Sequence, residues 1–457
     1  MNESAVWQAA LRVAKRLREH GHESWIAGGA VRDHLLGRPP RDVDVATSAR
    51  PDRIVELWPQ SRQVGAAFGV VLVPEAGAWI EVTTFRRDGV YLDGRRPSEV
   101  VFGTLEQDAL RRDFTVNGLY LDPETNEIRD LVSGCDDLAA RRIRAIGDPE
   151  ARLTEDRLRL LRAIRFAAQL DFEIEERTWA AVCRLAPLAA EVAAERTRDE
   201  ILRMLTVPGA GRGIRLMHRS GLLAQLLPEV AAMDGVEQPP EYHPEGDVLH
   251  HTTLLFDHFA EPSSELALGA LLHDIGKPPT FERGAAGIRF PSHAKVGADM
   301  ADRVCERLRL STASRERVVA LVAEHMRFLD VQRMKTSTLK RFLRQPDFVE
   351  HLALHRADCL ASNGRLENWD YARRALETLG EAELRPPRLA DGKDLMAMGW
   401  PTGPELGAEL RRLEELQLEG AIGSREQALA EARRSLAQRV ERPGSGTAPP
   451  PDLDGTD

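Results

Sequence analysis

The sequence predicts a multi-domain chain in which a mixed α/β head precedes an all-helical remainder. Three observations carry this. At 457 residues the chain outgrows a single hydrophobic core, because such cores rarely pass about 250 residues. Up to about residue 140, brief β-rich runs alternate with helix-like ones. From 141 onward the strand signal nearly disappears into Ala/Leu/Arg/Glu-rich text of helical period.

Taken in order, the opening segment places Val6, Leu11, Ala14 and Leu17 at helical spacing among charges. The runs "ESWIAGG", "VDVAT", "GVVLVPE" and "WIEVTTFR" read as strands, with helix-like "VRDHLLG" and "RPDRIVELW" between them. The helical remainder is broken at 207–213, 234–247, 385–392 and 400–404 by Pro/Gly-rich stretches. These breaks imply a head over 1–140, a helical neck over 141–235, a further helical domain over 236–365 and a C-terminal helical region over 366–441. The Pro/Gly/Asp tail at 442–457 has nothing to bury and is expected to be disordered. No internal repeat is evident.

Composition narrows the function classes. Hydrophobic residues make up 42% and charged residues 29%, the balance of a soluble protein. Aromatics at 5% argue against a stacking platform for single-stranded nucleic acid, and a net charge of −10 excludes a whole-molecule attraction to polyanions. Any such partner needs local basic faces; "RRIRAIG", the arginines after Asp156 and "RMKTSTLKRFLRQP" supply candidates. Cys135, Cys183, Cys305 and Cys359 form no CxxC and read as apolar residues of a reducing compartment. The sequence has neither a signal-like apolar core near its start nor a run of roughly 18 apolar residues. The expected location is the cytoplasm, with no membrane partner; the oligomeric state is not legible.

The stretch "GGAVRDHLLGRPPRDVDVATSA" (28–49) carries the first chemistry. A strand runs into Gly28-Gly29, followed by a helix from about Val31 to Leu36 closed by Gly37. Glycine lets backbone approach a ligand, a helix start points free N–H groups at it, and Arg32 adds a forked donor. Within "DVDVAT", strand alternation projects Asp42 and Asp44 to one face while Val43 and Val45 turn to the core. Two adjacent carboxylates repel unless a cation lies between them, and Mg²⁺ suits oxygen ligands and substrate phosphates.

With these residues in place, the chain resembles the bacterial class II tRNA nucleotidyltransferase (CCA-adding) and poly(A) polymerase family, whose head is polymerase-β-like. The matching motifs are G-G-x-V-R-D at 28–33, D-x-D at 42–44, "RRDFTVNGLYLD" at 111–122 and E-D-x-x-R at 155–159. Gly118 stands where alanine is commoner in that family. The resemblance implies Mg²⁺ held by catalytic Asp42 and Asp44, with Gly29, Arg32 and Arg112 on the triphosphate. It also implies Arg162 and Arg165 near the incoming nucleotide, and Asp113 and Asn117 as supports. Glu81 in "WIEVTTF" is a third carboxylate left outside the expected metal site.

The run "TEDRLRLLRAIRF" reads as a helix capped by Thr154, with Asp156, Arg159, Arg162 and Arg165 on one side and Leu158, Leu161 and Ile164 on the next. Asp156 offers only acceptors and Arg159 only donors. Cytosine and adenine each pair an exocyclic amino donor with a ring-nitrogen acceptor; uracil and guanine present the reverse. One Asp-Arg couple therefore admits C and A and rejects U and G, without a template.

A second constellation begins at "LALGALLHDIGKPPTF", where His273-Asp274 ends an apolar helix. His251 lies upstream and Asp358 downstream, with His293 and His325 between. Their order resembles the HD phosphohydrolase domain, and implies a second divalent metal on His251, His273, Asp274 and Asp358, with a phosphohydrolase activity as an additional possibility. The expected function is addition of CCA to tRNA 3′ ends from CTP and ATP, releasing pyrophosphate. Rivals within the chemistry are a poly(A) polymerase and CC- or A-adding enzymes. From another class, the rival is an HD metal phosphohydrolase with a nucleotide- or RNA-binding head.

Overall fold

A computed structural model describes residues 5–40, 42–64, 69–89, 100–285 and 287–440. The expected disordered tail, 442–457, lies outside the described residues. The chain divides into two compact units: residues up to 325 with 357–364, and 326–356 with residues from 365 onward.

The first unit opens with α1 (Ala5–Glu19), which buries Trp7, Ala10, Val13, Ala14 and Leu17 along one stripe. There follow β1 (Ser24–Ala27), α2 (Gly29–Leu35), β2 (Asp44–Thr47), α3 (Pro51–Leu57), β3 (Arg62–Gln63), β4 (Val70–Glu75) and β5 (Ala78–Thr84). A short pair, β6 (Arg86–Asp88) and β7 (Val100–Phe102), precedes α4 (Leu105–Leu110), β8 (Leu119–Leu121), β9 (Ile128–Asp130) and α5 (Gly134–Ala139). Among the described residues the main sheet runs β3-β4-β5-β2-β1-β8-β9. It is mixed: β2 and β5 are parallel, while β1 pairs antiparallel with both β2 and β8. The parallel register sets Asp44 directly opposite Glu81. Val45, Val71, Val73, Ile80 and Val82 fill the core.

Two glycines are required by their surroundings. Gly28 has φ +71°, and a Cβ there would lie 2.7 Å from Arg112 Nη1. At Gly118 a Cβ would lie 2.6 Å from Val132 Cγ2, which explains why this chain lacks the commoner alanine.

Beyond the head lie α6 (Pro149–Glu155) and α7 (Leu158–Leu170), then α8 (Glu176–Leu185) and α9 (Ala194–Leu205). Here the structure corrects the expected single helix capped by Thr154. Asp148 caps α6 by accepting from Ala151 N at 3.0 Å, with Pro149 in the first turn, so Thr154 falls inside α6. Asp156 is extended (φ −135°, ψ 103°) and separates the two helices. The apolar side of α7 is as expected: Leu158, Leu161 and Ile164 are buried. The break at 207–213 is shorter than it reads, because α10 (Ala210–Ser220) begins within it. Short α11 (Leu222–Leu226) and α12 (Pro228–Ala231) lead to α13 (Val248–Leu255), α14 (Ser264–Leu272), α15 (His293–Arg307) and α16 (Thr312–Glu324).

The second unit is helical in its described residues. One of its cores gathers Phe328, Leu339, Phe342, Phe348 and Leu384; another gathers Leu395, Trp400, Leu413, Ala428 and Ala432.

Candidate active site and metal centre

A cleft of about 410 Å³ opens between the head sheet and α7. It brings together Gly29, Arg32, Asp44, Arg112, Asp156, Arg159 and Arg162, with Asp113 and Asn117 expected as supports, and adds Glu81, Arg86 and Arg111; Asp42 is not on its wall. Arg165 is not on its wall. It is buried, and its Nε donates to Glu200 Oε2 at 2.6 Å.

The acidic end is built by strand pairing. Strand β2 starts at Asp44, so Asp42 stands just before it, exposed, while Glu81 is brought alongside by β5. Burial, the Glu81 charge and, further, Asp42 push the Asp44 carboxyl up to about 6, although Arg112 opposes them. Desolvation and Asp42 likewise hold Glu81 above its ordinary value. Carboxyls pushed up by one another are short of positive charge, and a divalent cation with oxygen ligands fits this set. The sequence offers Glu81 as a third carboxylate without placing it; the β2–β5 register sets it opposite Asp44.

The basic wall is held rigidly. Arg32 donates to Asn117 Oδ1 at 2.6 Å and lies over the Phe166 ring, and Asn117 Nδ2 donates to Asp113 Oδ1 at 3.0 Å. Arg162 donates to Asp113 Oδ2 through Nε (2.8 Å) and lies 2.6 Å from it through Nη2. Burial alone would raise the Asp113 carboxyl, but Arg162, Asn117 and the Phe114 N–H hold it well below the usual range. Arg112 packs on Tyr120 and pairs with Asp108 at 3.2 Å. Asp156 and Arg159 face the same cleft without pairing to each other: Arg159 bonds Glu155 at 2.6 Å, and Asp156 pairs with Arg196 at 2.8 Å.

A separate cluster lies where α13, α14, α15 and the end of α16 converge with Asp358, on the helix α18 (Phe348–Ala361) that follows α17 (Thr336–Leu343). It joins His251, His273, Asp274 and Asp358 as expected. His251 Nε2 is 3.0 Å from Asp358 Oδ1, and His273 Nε2 is 3.2 Å from Asp274 Oδ2. The structure adds His293 and His325, whose Nε2 atoms lie 3.6 and 3.7 Å from Asp274 Oδ1 and 3.3 Å from each other. His273, His293 and His325 each direct Nδ1 at a backbone carbonyl, at 2.8, 3.0 and 2.7 Å. A carbonyl only accepts, so Nδ1 carries the proton and Nε2 presents a lone pair inward. Lys277 Nζ lies 2.6 Å from Asp274 Oδ2, but the inward histidine lone pairs face a carboxylate and not a donor, and a metal ion supplies what they lack. Glu245, unforeseen in sequence, places Oε1 2.5 Å from His251 Nδ1. Asp358 and Glu245 raise His251 to about 9 against the effect of burial.

Comparison with known proteins finds matches along most of the chain. The poly A polymerase head domain matches residues 24–144, the description "Probable RNA and SrmB- binding site of polymerase A" matches 171–233, and the HD domain matches 246–363. The chain is 43% identical over 232 residues to a CCA-adding enzyme of Anoxybacillus flavithermus, covering 50% of this chain and 57% of that protein. It is 44% identical over 218 residues to one of Streptococcus pyogenes, covering 48% and 54%. It thus matches these curated relatives over little more than half of their length. The crystal structure of the Bacillus stearothermophilus CCA-adding enzyme in complex with CTP superposes with a TM-score of 0.74 at 25% identity, covering 96% of this chain and 100% of that one. The fold is also shared with a Thermotoga maritima CCA-adding enzyme complexed with tRNA (TM-score 0.59, 18% identity, covering 95% and 97%). Among the described residues, no helix is long and apolar enough to cross a membrane. A poly A polymerase head, a polymerase A RNA-binding segment and an HD domain thus follow one another along the chain, and the curated and solved proteins it resembles are CCA-adding enzymes.

Proposed function

We propose that this protein adds CCA to the 3′ end of tRNA from CTP and ATP, releasing pyrophosphate, without a nucleic-acid template. One observation supports it above others: a single cleft holds the paired carboxyls of Asp44 and Glu81, the acceptor–donor couple Asp156 and Arg159, and a wall of arginines. We take the head as 1–140, the neck as 141–235, the HD domain as 236–365 and the helical C-terminal region as 366–441.

Asp42 and Asp44 hold Mg²⁺, with Glu81 alongside. When bound, such an ion lowers the pKa of the attacking 3′-hydroxyl and stabilises the departing pyrophosphate. Gly29, Arg32 and Arg112 receive the triphosphate, and the fixed guanidinium of Arg32 orients it without reorganisation. Arg162, anchored by Asp113, faces the incoming nucleotide. Arg165 supports the site from behind, through Glu200. Asp156 accepts the exocyclic amino group of C or A, and Arg159 donates to the neighbouring ring nitrogen. The His/Asp cluster holds a second divalent metal on His251, His273, Asp274 and Asp358, and His293 and His325 extend it on the far side of Asp274.

The test is extension of tRNA that ends at the discriminator base, with nucleotides added singly and in pairs and the ends sequenced. Ends finishing in CCA support the proposal. A long adenosine tract assigns a poly(A) polymerase, and arrest after CC or exclusive use of A assigns a partial adder. No extension, with phosphatase activity surviving Asp42→Ala, assigns an HD hydrolase.

A further inference from the structure

We infer that Arg196, on α9 and outside the cleft wall, is a positioning residue that leaves Asp156 a single acceptor site for the base. The inference rests on the proposed reading of Asp156 and Arg159 as the base-selecting couple. It follows from counting lone pairs and protons.

An ionised carboxylate has about four lone-pair directions, two on each oxygen. Arg196 forks onto both oxygens of Asp156, with Nη1 donating to Oδ1 at 3.1 Å and Nη2 to Oδ2 at 2.8 Å. The backbone N–H of Leu158 donates to Oδ1 at 3.2 Å. Oδ1 is then fully used and Oδ2 keeps one lone pair, which is enough for one amino N–H. On the donor side, Arg159 Nη1 gives both protons away, to the Arg152 carbonyl at 2.8 Å and to Glu155 at 2.6 Å. Nη2 gives one to the Arg111 carbonyl at 3.1 Å. Its second proton and the Nε proton remain for a ring nitrogen.

The two halves of the couple are therefore aimed from different elements: the acceptor by α9, the donor by α6 and the residue after α4. A bidentate Arg–carboxylate pair fixes the carboxylate plane, and a lysine, a single rotatable point charge, does not. Without the fork, Asp156 turns about its side chain and its acceptor loses direction. Uracil and guanine can then meet Arg159 through a carbonyl while Asp156 swings to their ring N–H. One turn further along α9, Glu200 pairs with Arg165 at 2.6 Å and approaches Arg162 at 3.6 Å, so the same helix face also braces the basic wall.

The experiment is single-nucleotide extension of a tRNA lacking its CCA, giving kcat/KM for each of the four nucleoside triphosphates. It compares the parent, Arg196→Gln, Arg196→Lys, Asp156→Asn and the Asp156→Asn/Arg196→Gln double variant. The expected result is a fall of about tenfold or more in preference for C and A over U and G in Arg196→Gln, and an intermediate fall in Arg196→Lys. In the Asp156→Asn background the same Gln substitution changes the ratio less than about twofold, as expected of residues acting as a unit. A merely structural role would lower all four rates together and keep the ratio. An unchanged ratio in Arg196→Gln, or an equal effect with and without Asp156, overturns the inference. Where the Gln protein does not fold, Arg196→Lys decides by the same ratio. A parent that fails to discriminate sinks the proposed function itself, which separates the two failures.

Discussion

Asp44 shows at the residue scale how little of a site lies in one side chain. In the proposed site it acts together with Glu81 and Asp42, and burial, joined by the charges of those neighbours, pushes its carboxyl up to about 6. Asp44→Asn keeps the shape and removes a charge, and loss of several kcal/mol of transition-state stabilisation corresponds to a rate roughly 10³-fold lower. Steady-state extension of tRNA measures this directly, and Tm close to the parent separates it from unfolding. Gly28 makes a different demand, because its backbone is left-handed and a Cβ would strike Arg112 Nη1. Gly28→Ala is expected to destabilise the head by about 1–3 kcal/mol, read as a lower midpoint in urea. The doubled glycine and the D-x-D were legible because each carries its chemistry locally. Glu81 was legible as a third carboxylate but its place was not, since only the pairing of β2 with β5 brings it to Asp44.

At the scale of elements, α7 and the turn before β8 are locked by the pairing of half-buried Arg162 with buried Asp113. The Asp113 carboxyl is depressed in the folded state, so its contribution to stability is present above its ordinary pKa of 3.8 and is lost as the pH falls below it. Thermal melts from pH 5 down to pH 2 should show a steeper loss for the parent than for Asp113→Asn, which begins less stable and loses less. The strands of the head and the apolar stripe of α7 could be read from alternation and period, since burial of one face dictates both. The junction of α6 and α7 could not. The capping signal at Thr154 competes with the stronger Asp148-Pro149 start, and Asp156 is left extended between the helices. That break aims Asp156 into the cleft, so the misread boundary is itself part of the site. Arg196 was equally hidden, because its partner lies 40 residues away in sequence.

For the whole molecule, two centres of unlike chemistry share one chain: a carboxylate cluster that suits a hard, oxygen-preferring ion, and a histidine-rich one that suits a borderline metal. The histidines of the second were legible as an ordered series, but their convergence on both oxygens of Asp274 needed the fold. Protein purified without chelator is expected to carry divalent metal by elemental analysis, and Asp274→Ala to lose it while retaining tRNA extension. The most direct measurement of the central claim isolates selection from chemistry. With Asp42→Ala to halt transfer, equilibrium binding of CTP, ATP, UTP and GTP is compared at fixed Mg²⁺. An Asp156/Arg159 couple that reads the pairing edge predicts CTP and ATP binding at least about tenfold more tightly than UTP and GTP. Equal affinity for all four would contradict it.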